Sequence, residues 1–159
     1  MFIPPLKPVK IPERLIYCAP KNNYRMFSTK NGSYLGVMKA TVCELVDDSF
    51  YKDAVHSKSL YINSLKVFPF ARRQGIGSEL LKFAEKLSLR NNAEGRVHLI
   101  AYNADNPAQA PQIFYRKYGF STTSAAENKM IDEAIENNTP VPAFLTQGSC
   151  MFLEKTKKI

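Results

Sequence analysis

The sequence has little of what would place it in several large classes of protein. No apolar run approaches the ~20 residues that a membrane-spanning helix needs. The opening Met1-Phe2-Ile3-Pro4-Pro5 puts two prolines where a signal peptide would carry a helical apolar stretch. The chain is therefore read as cytoplasmic. The cysteines Cys18, Cys43 and Cys150 lie far apart without a Cys-x-x-Cys pair. That argues against a disulfide framework and against a zinc-ligand spacing, so no metal is expected. Each cysteine sits in an apolar segment and is expected to be a small core residue. Histidine is scarce, with His56 and His98 alone. There are no internal repeats and no low-complexity linker. Acidic residues are outnumbered, 14 against 22 lysines and arginines, for a net charge of +8. Such a balance attracts polyanions. The basic residues are scattered apart from the tail Lys155-Thr156-Lys157-Lys158, which reads as a solvated end, and no nucleic-acid-binding motif is recognised.

What is present reads as one mixed α/β domain. At 159 residues, 45% of them hydrophobic, the chain can bury a core of its own. Residues 1–13 hold four prolines and are expected to form an extended arm. Arg14 to Ala19 is a short strand candidate. Tyr24 to Ser28 and Tyr34 to Val42 flank Lys30-Asn31-Gly32, a strong hairpin signal. Glu44 to Lys58 reads as a loop or broken helix, and Leu60 to Phe68 as a strand ended by Pro69. From Gly75 to Leu89 the apolar positions recur at helical spacing, and Asn91-Asn92 with Gly95 ends that helix. Val97 to Tyr102 is another strand. Pro111 to Tyr118 is a short helix opened by its proline and closed by Gly119. Ala125 to Asn138 forms a helix with Met130, Ala134 and Ile135 on one face, followed by a proline-containing loop. In the last strand, Ser149 to Glu154, Met151 and Leu153 point opposite to Cys150 and Phe152.

The chemistry concentrates in a strand, a glycine-bearing turn and a helix: Leu65-Lys66-Val67-Phe68-Pro69-Phe70-Ala71-Arg72-Arg73-Gln74-Gly75-Ile76-Gly77-Ser78. Gly75 and Gly77 let the backbone approach a ligand and turn successive N–H groups outward. They open a long amphipathic helix whose first amides and dipole favour an anion, and Arg72 and Arg73 add charge beside it. A P-loop would need Lys-Ser or Lys-Thr after the second glycine, and a dinucleotide fingerprint a third glycine. Neither is here.

The run Arg72-Arg73-Gln74-Gly75-Ile76-Gly77 resembles the Arg/Gln-x-x-Gly-x-Gly/Ala motif of the GNAT superfamily of acetyltransferases. Ile113-Phe114-Tyr115-Arg116-Lys117-Tyr118-Gly119-Phe120 is similar to that family's Leu-Tyr-x-x-x-Gly-Phe segment. The resemblance covers roughly residues 24–124. It implies an α/β (α+β) fold in which a mixed central sheet splays between its fourth and fifth strands, with helices on both faces. It also implies acetyl-CoA as cosubstrate, a second polyanion that would suit the basic charge. The pyrophosphate would rest on the amides from Arg73 to Ser78, and pantetheine would run along Leu65, Lys66 and Val67. Tyr115 would protonate the departing thiolate as an amine attacks the thioester directly in a ternary complex.

Three departures from the family pattern stand out. The positions that hold a Glu or His base in relatives are Tyr61 and Asn63, so a water relay or a carboxylate from elsewhere, Glu44 or Asp48, takes that place. His98, among apolar residues, is a packed core histidine. The asparagine seven residues before the tyrosine is Ala108 here, leaving Asn106 as the substitute. Only 20–23 separates the first two strand candidates, too short for the two helices that wall the acceptor site in relatives. Either those helices are absent or the first strand is misplaced. An open slot would suit a peptide or protein amine, and a wall made by residues 125–148 would suit a small molecule. A homodimer stays open, and the alternative to an enzyme is a non-catalytic acyl-CoA-binding or sensing domain.

Overall fold

The computed structural model describes residues 14–19, 23–30, 33–45, 51, 57–71, 75–102 and 110–154. The expected arm at 1–13, the turn Asn31-Gly32, Asp48, His56 and the site candidates Arg72, Arg73, Gln74 and Asn106 lie outside them. The fold is mixed α/β. It divides into two compact units, one from Met1–Glu44 and Ser57–Val97, the other from Leu45–His56 and His98–Ile159.

In the first unit four strands form an antiparallel meander: β1 (Arg14–Ala19), β2 (Asn23–Lys30), β3 (Ser33–Glu44) and β4 (Lys58–Val67). β1 pairs with β2 over its whole length, from Arg14 against Ser28 to Ala19 against Asn23. The first strand is therefore correctly placed, and the helices found between these strands in relatives are absent. The pairing of β2 with β3 runs to Lys30 opposite Ser33. Alternation along β3 buries Met38, Ala40 and Val42 and exposes Lys39. Against the buried face packs helix α1 (Ile76–Arg90), through Ile76, Leu80, Leu81, Phe83, Ala84 and Leu87.

The end of α1 is tied down on several sides. The Tyr24 hydroxyl donates to Asn91 Oδ1 at 2.9 Å, and Asn91 Nδ2 caps the Leu87 carbonyl at 2.8 Å. Ser88 Oγ donates to Arg96 O at 2.8 Å, Arg96 Nε donates to Lys58 O at 2.8 Å, and Leu60 N donates to Arg96 O at 3.1 Å. The turn after the helix is thus stitched to the start of β4.

Gly36 is the closest approach in this unit. A Cβ there would meet the Lys66 carbonyl oxygen at 2.9 Å, Ile76 Cγ2 at 3.2 Å and Leu80 Cδ1 at 3.4 Å. Bare backbone at β3 is what lets α1 start directly over β4. Gly36→Ala should cost roughly 1–3 kcal/mol through overpacking. Calorimetry should show a Tm lower by several degrees, and an unchanged Tm would mean that the helix shifts freely.

In the second unit β7 (Ser149–Leu153) pairs antiparallel with both β5 (Val97–Ala101) and the short β6 (Phe120–Ser121). Leu99, Ala101, Met151 and Leu153 turn inward with Phe120, Ile131 and Leu145. Helix α2 (Pro111–Tyr118) precedes β6, and helix α3 (Ala125–Asn137) follows it. α3 begins at a Ser124 cap whose Oγ accepts from Glu127 N at 3.1 Å and ends at Asn138 with φ 54°. A 3-10 helix, Ala143–Gln147, lies inside the segment read as a loop.

Two expectations need correction. Cys150 is exposed, because alternation along β7 gives the inward places to Ser149, Met151 and Leu153, and Cys43 on β3 is half-buried. The α3 face that is buried carries Ile131 and Ala134, with Met130 and Ile135 only half-buried at its edges. Among the described residues no helix is long and apolar enough to cross a membrane.

Candidate active site

β4 delivers the chain to the glycine turn. Phe68 N extends the ladder by donating to Leu35 O at 2.9 Å, and a 3-10 turn, Pro69–Ala71, closes with Ala71 N donating to Phe68 O at 2.8 Å. Of the strand residues implied to hold pantetheine, Leu65 and Val67 are half-buried and Lys66 is exposed, with Nζ 5.6 Å from the Phe68 ring centroid. They lie opposite Met38, Gly36 and Val37 respectively. Gly75 has φ 76° and ψ 11°, a left-handed conformation that side chains rarely adopt. It is exposed, and a Cβ there would meet nothing within 4 Å. Its glycine is needed for conformation, not for space.

The first internal bond of α1 runs from Glu79 N to Gly75 O at 3.0 Å. The amides of Ile76, Gly77 and Ser78 therefore precede the helix's own acceptors, and no side chain caps them. Ile76 and Gly77 are buried, which pins this first turn to the sheet. The result is a rigid, uncapped helix start with the positive end of its dipole presented outward, chemically suited to a phosphate.

Tyr61 and Asn63 sit on β4 beside a register shift opposite Lys39 and Ala40, where Asn63 is the extra residue. Thr41 Oγ1 lies 2.8 Å from Asn63 Oδ1 and 2.7 Å from Asn23 Oδ1. One hydroxyl proton serves one oxygen, so one asparagine must turn its amide nitrogen toward Thr41. The two asparagines and the Thr41 hydroxyl are neutral, and none of them is a base at physiological pH. Glu44 is exposed at the end of β3.

In the second unit Tyr115 is 8% exposed on α2, with its ring edge-on to Phe120 at 5.5 Å and tilted against Phe114 at 5.2 Å. Burial pushes its phenol up to about 12. Among the described residues the Tyr115 hydroxyl has no hydrogen-bond partner, and the only sealed-off side-chain polar atom without one is Gln112 Oε1. The following residue anchors the helix. Arg116 Nε donates to Asp132 Oδ1 at 2.7 Å and Nη2 to Asp132 Oδ2 at 3.0 Å. Its Nη1 donates to Phe120 O at 3.2 Å and to Ser121 Oγ, which in turn donates to Glu154 Oε1 at 2.7 Å. The forked ion pair docks α3 on α2.

His98 is stacked on Phe152 at 5.7 Å between ring centroids, and burial lowers its imidazole to about 4. It is neutral at physiological pH. Tyr51 caps the same cluster, edge-on to Phe152 at 5.4 Å and donating to Leu153 O at 2.9 Å.

A glycine turn opening a long helix, followed by a strand and a Tyr-x-x-x-Gly-Phe helix, defines an acetyltransferase domain. The model of the GNAT acetyltransferase domain matches residues 29–122, and the chain belongs to that family. Among curated proteins it is similar to "Probable N-acetyltransferase HLS1" of Arabidopsis thaliana. The two are 34% identical over 96 residues, 57% of this chain and 23% of the relative, so the chain spans under a quarter of that protein. Among solved structures, Arabidopsis thaliana Naa50 in complex with a bisubstrate analogue is 18% identical with a TM-score of 0.51. The match covers 82% of this chain and 72% of that one. The Bacillus subtilis N-acetyltransferase YlbP, in complex with coenzyme A, is 13% identical with a TM-score of 0.51, over 84% of this chain and 68% of that one. Likeness at these identities concerns the fold.

Sequence reading missed Gln112. It is fully buried on α2, and its Nε2 donates to Ala101 O at 2.9 Å and Leu145 O at 2.7 Å and lies 3.3 Å from Ser149 Oγ. Its Oε1 is buried without a partner among the described residues, an arrangement that costs about 1–3 kcal/mol unless water or a donor fills it. The signal was faint: an amide one helical turn before Tyr115, on the same face.

Proposed function

We propose that this chain is an acetyl-CoA-dependent N-acetyltransferase that moves an acetyl group to a primary amine by direct attack in a ternary complex. The reading rests above all on Tyr115, a phenol held neutral by burial yet left without a hydrogen-bond partner among the described residues. The neutral amine attacks the thioester carbonyl carbon. The tetrahedral intermediate then collapses with cleavage of the C–S bond, and the sulfur leaves as thiolate and takes the Tyr115 proton. The proton shed by the amine nitrogen passes to water, because Tyr61 and Asn63 offer no base. Amides of residues 73–78, with Arg72 and Arg73, hold the diphosphate. Backbone of 65–67 holds pantetheine, with Asn106 a further contact. Much of the rate comes from juxtaposition of amine and thioester.

An open acceptor slot would suit a peptide or protein amine, and a wall made by residues 125–148 would suit a small molecule. The missing base favours a second reading, a domain that binds acyl-CoA without turnover. A thiol-release assay with acetyl-CoA over polyamines, aminoglycosides, amino acids and peptides decides. Acceptor-dependent release is expected. Tight coenzyme binding without release over the whole panel would leave the sensing domain.

A further inference from the structure

We propose that Gln112 is a positioning residue for the tyrosine-bearing helix, clamping α2 at once to the end of β5 and to the 3-10 helix Ala143–Gln147. The inference rests on the role given to Tyr115 above. Its geometry belongs to the second unit alone. One amide nitrogen reaches two main-chain carbonyls, Ala101 O at 2.9 Å and Leu145 O at 2.7 Å, on segments more than forty residues apart in sequence. A third oxygen, Ser149 Oγ, lies at 3.3 Å and itself donates to Leu145 O at 3.1 Å. Three acceptors around one nitrogen fix the amide's orientation, since turning it over would set its oxygen against two carbonyls.

The placement on α2 gives this clamp its consequence. Gln112 and Tyr115 are three residues apart, hence on one side of a helix of only two turns. So short a helix has little stability of its own. One turn further along the same helix, Arg116 forms its ion pair with Asp132 and ties α2 to α3. Without the Gln112 bonds the first turn of α2 is free to roll about that remaining anchor, carrying the phenol with it. Leucine or isoleucine would fill the same volume without directing anything. A hydrogen-bonding role for the nitrogen would explain an amide at this place although its Oε1 has no partner among the described residues.

The test uses Gln112→Leu in the whole chain. Expected are a kcat lower by tenfold or more, a coenzyme dissociation constant within twofold of wild type, and faster hydrogen exchange confined to α2 and residues 143–147. At pH 10.5 the Tyr115 phenol, identified by its loss in Tyr115→Phe, should be almost wholly protonated in wild type and measurably ionised in Gln112→Leu. Leu87→Ala, at a buried position near the end of α1, serves as the stability control, and it should lower Tm while keeping kcat. A Gln112→Leu enzyme that keeps its kcat, or loses no more than the control, overturns the proposal. Should Gln112→Leu fail to fold, Gln112→Glu decides. Protonated, its carboxyl can still donate to one carbonyl. Ionised, it faces Ala101 O and Leu145 O, so its rate relative to wild type should fall as pH rises, and a constant ratio overturns the clamp. Tyr115→Phe separates the two claims. Full activity in that variant removes the tyrosine's role and the clamp's purpose together, whereas an inactive Tyr115→Phe beside a fully active Gln112→Leu removes the clamp alone.

Discussion

Tyr115→Phe should lower kcat by about 10²–10³, the range of a lost general acid, while acetyl-CoA binding stays within about twofold. The substitution deletes one oxygen and keeps the ring that packs against Phe114 and Phe120. That oxygen bonds to nothing among the described residues, so the fold gives up no hydrogen bond and Tm should hold. The loss should shrink with acyl donors whose thiols are more acidic, since a good leaving group needs less protonation. The pH profile carries the same signature. Burial raises the phenol from its ordinary 10 to about 12, so the acid form persists up to that region. Activity in wild type should therefore not fall through the ordinary phenol range near pH 10, provided the acceptor amine is already neutral. Stopped-flow measurement of thiol release reads both effects. Full activity in Tyr115→Phe would remove the proton donor from the mechanism.

Gly75→Glu should weaken acetyl-CoA binding by about 100-fold or more, equivalent to roughly 2.7 kcal/mol. The position separates binding from folding. A side chain there meets nothing within 4 Å, so no clash is created. The left-handed backbone at φ 76° costs a non-glycine residue roughly 1–2 kcal/mol, and a carboxylate at a helix N-terminus returns about 0.3–1 kcal/mol of that. A folded, slightly destabilised protein is expected, with a negative charge where the diphosphate would lie. Gly75→Ala bears the same strain without the charge and should bind nearly as wild type. Titration calorimetry on the three proteins isolates the electrostatic part. Equal affinity in all three would move the nucleotide off this turn. Gly77→Glu should also abolish binding but is a poorer probe, because Gly77 is buried and its variant can fail by unfolding.

Much of this molecule could be read along the chain, and particular residues show why. Pro111 and Gly119 bracket α2 as their backbone preferences require, and the strand candidates around residue 31 pair as β2 and β3 up to Lys30 opposite Ser33. The apolar spacing from Ile76 to Leu87 marks the buried side of α1 almost residue for residue. These are local signals, set by allowed dihedrals and by the period of helix or strand. Cys150 was misjudged because an apolar neighbourhood in sequence says nothing of which face of β7 a side chain takes. Gln112 and Gly36 escaped for a related reason. One is defined by carbonyls at residues 101 and 145, the other by a carbonyl at residue 66, and no window of sequence contains both ends of such a contact.

Sequence alone determined the family, the two motifs and the order of the elements, because short-range patterning is written into neighbouring residues. Tertiary structure alone decided that the buried Tyr115 has no hydrogen-bond partner among the described residues, that the Gln112 amide one turn before it binds two distant carbonyls, and that β1 pairs with β2. Burial and hydrogen-bond partnership depend on which distant segments meet in space, and that is settled only when the chain has folded.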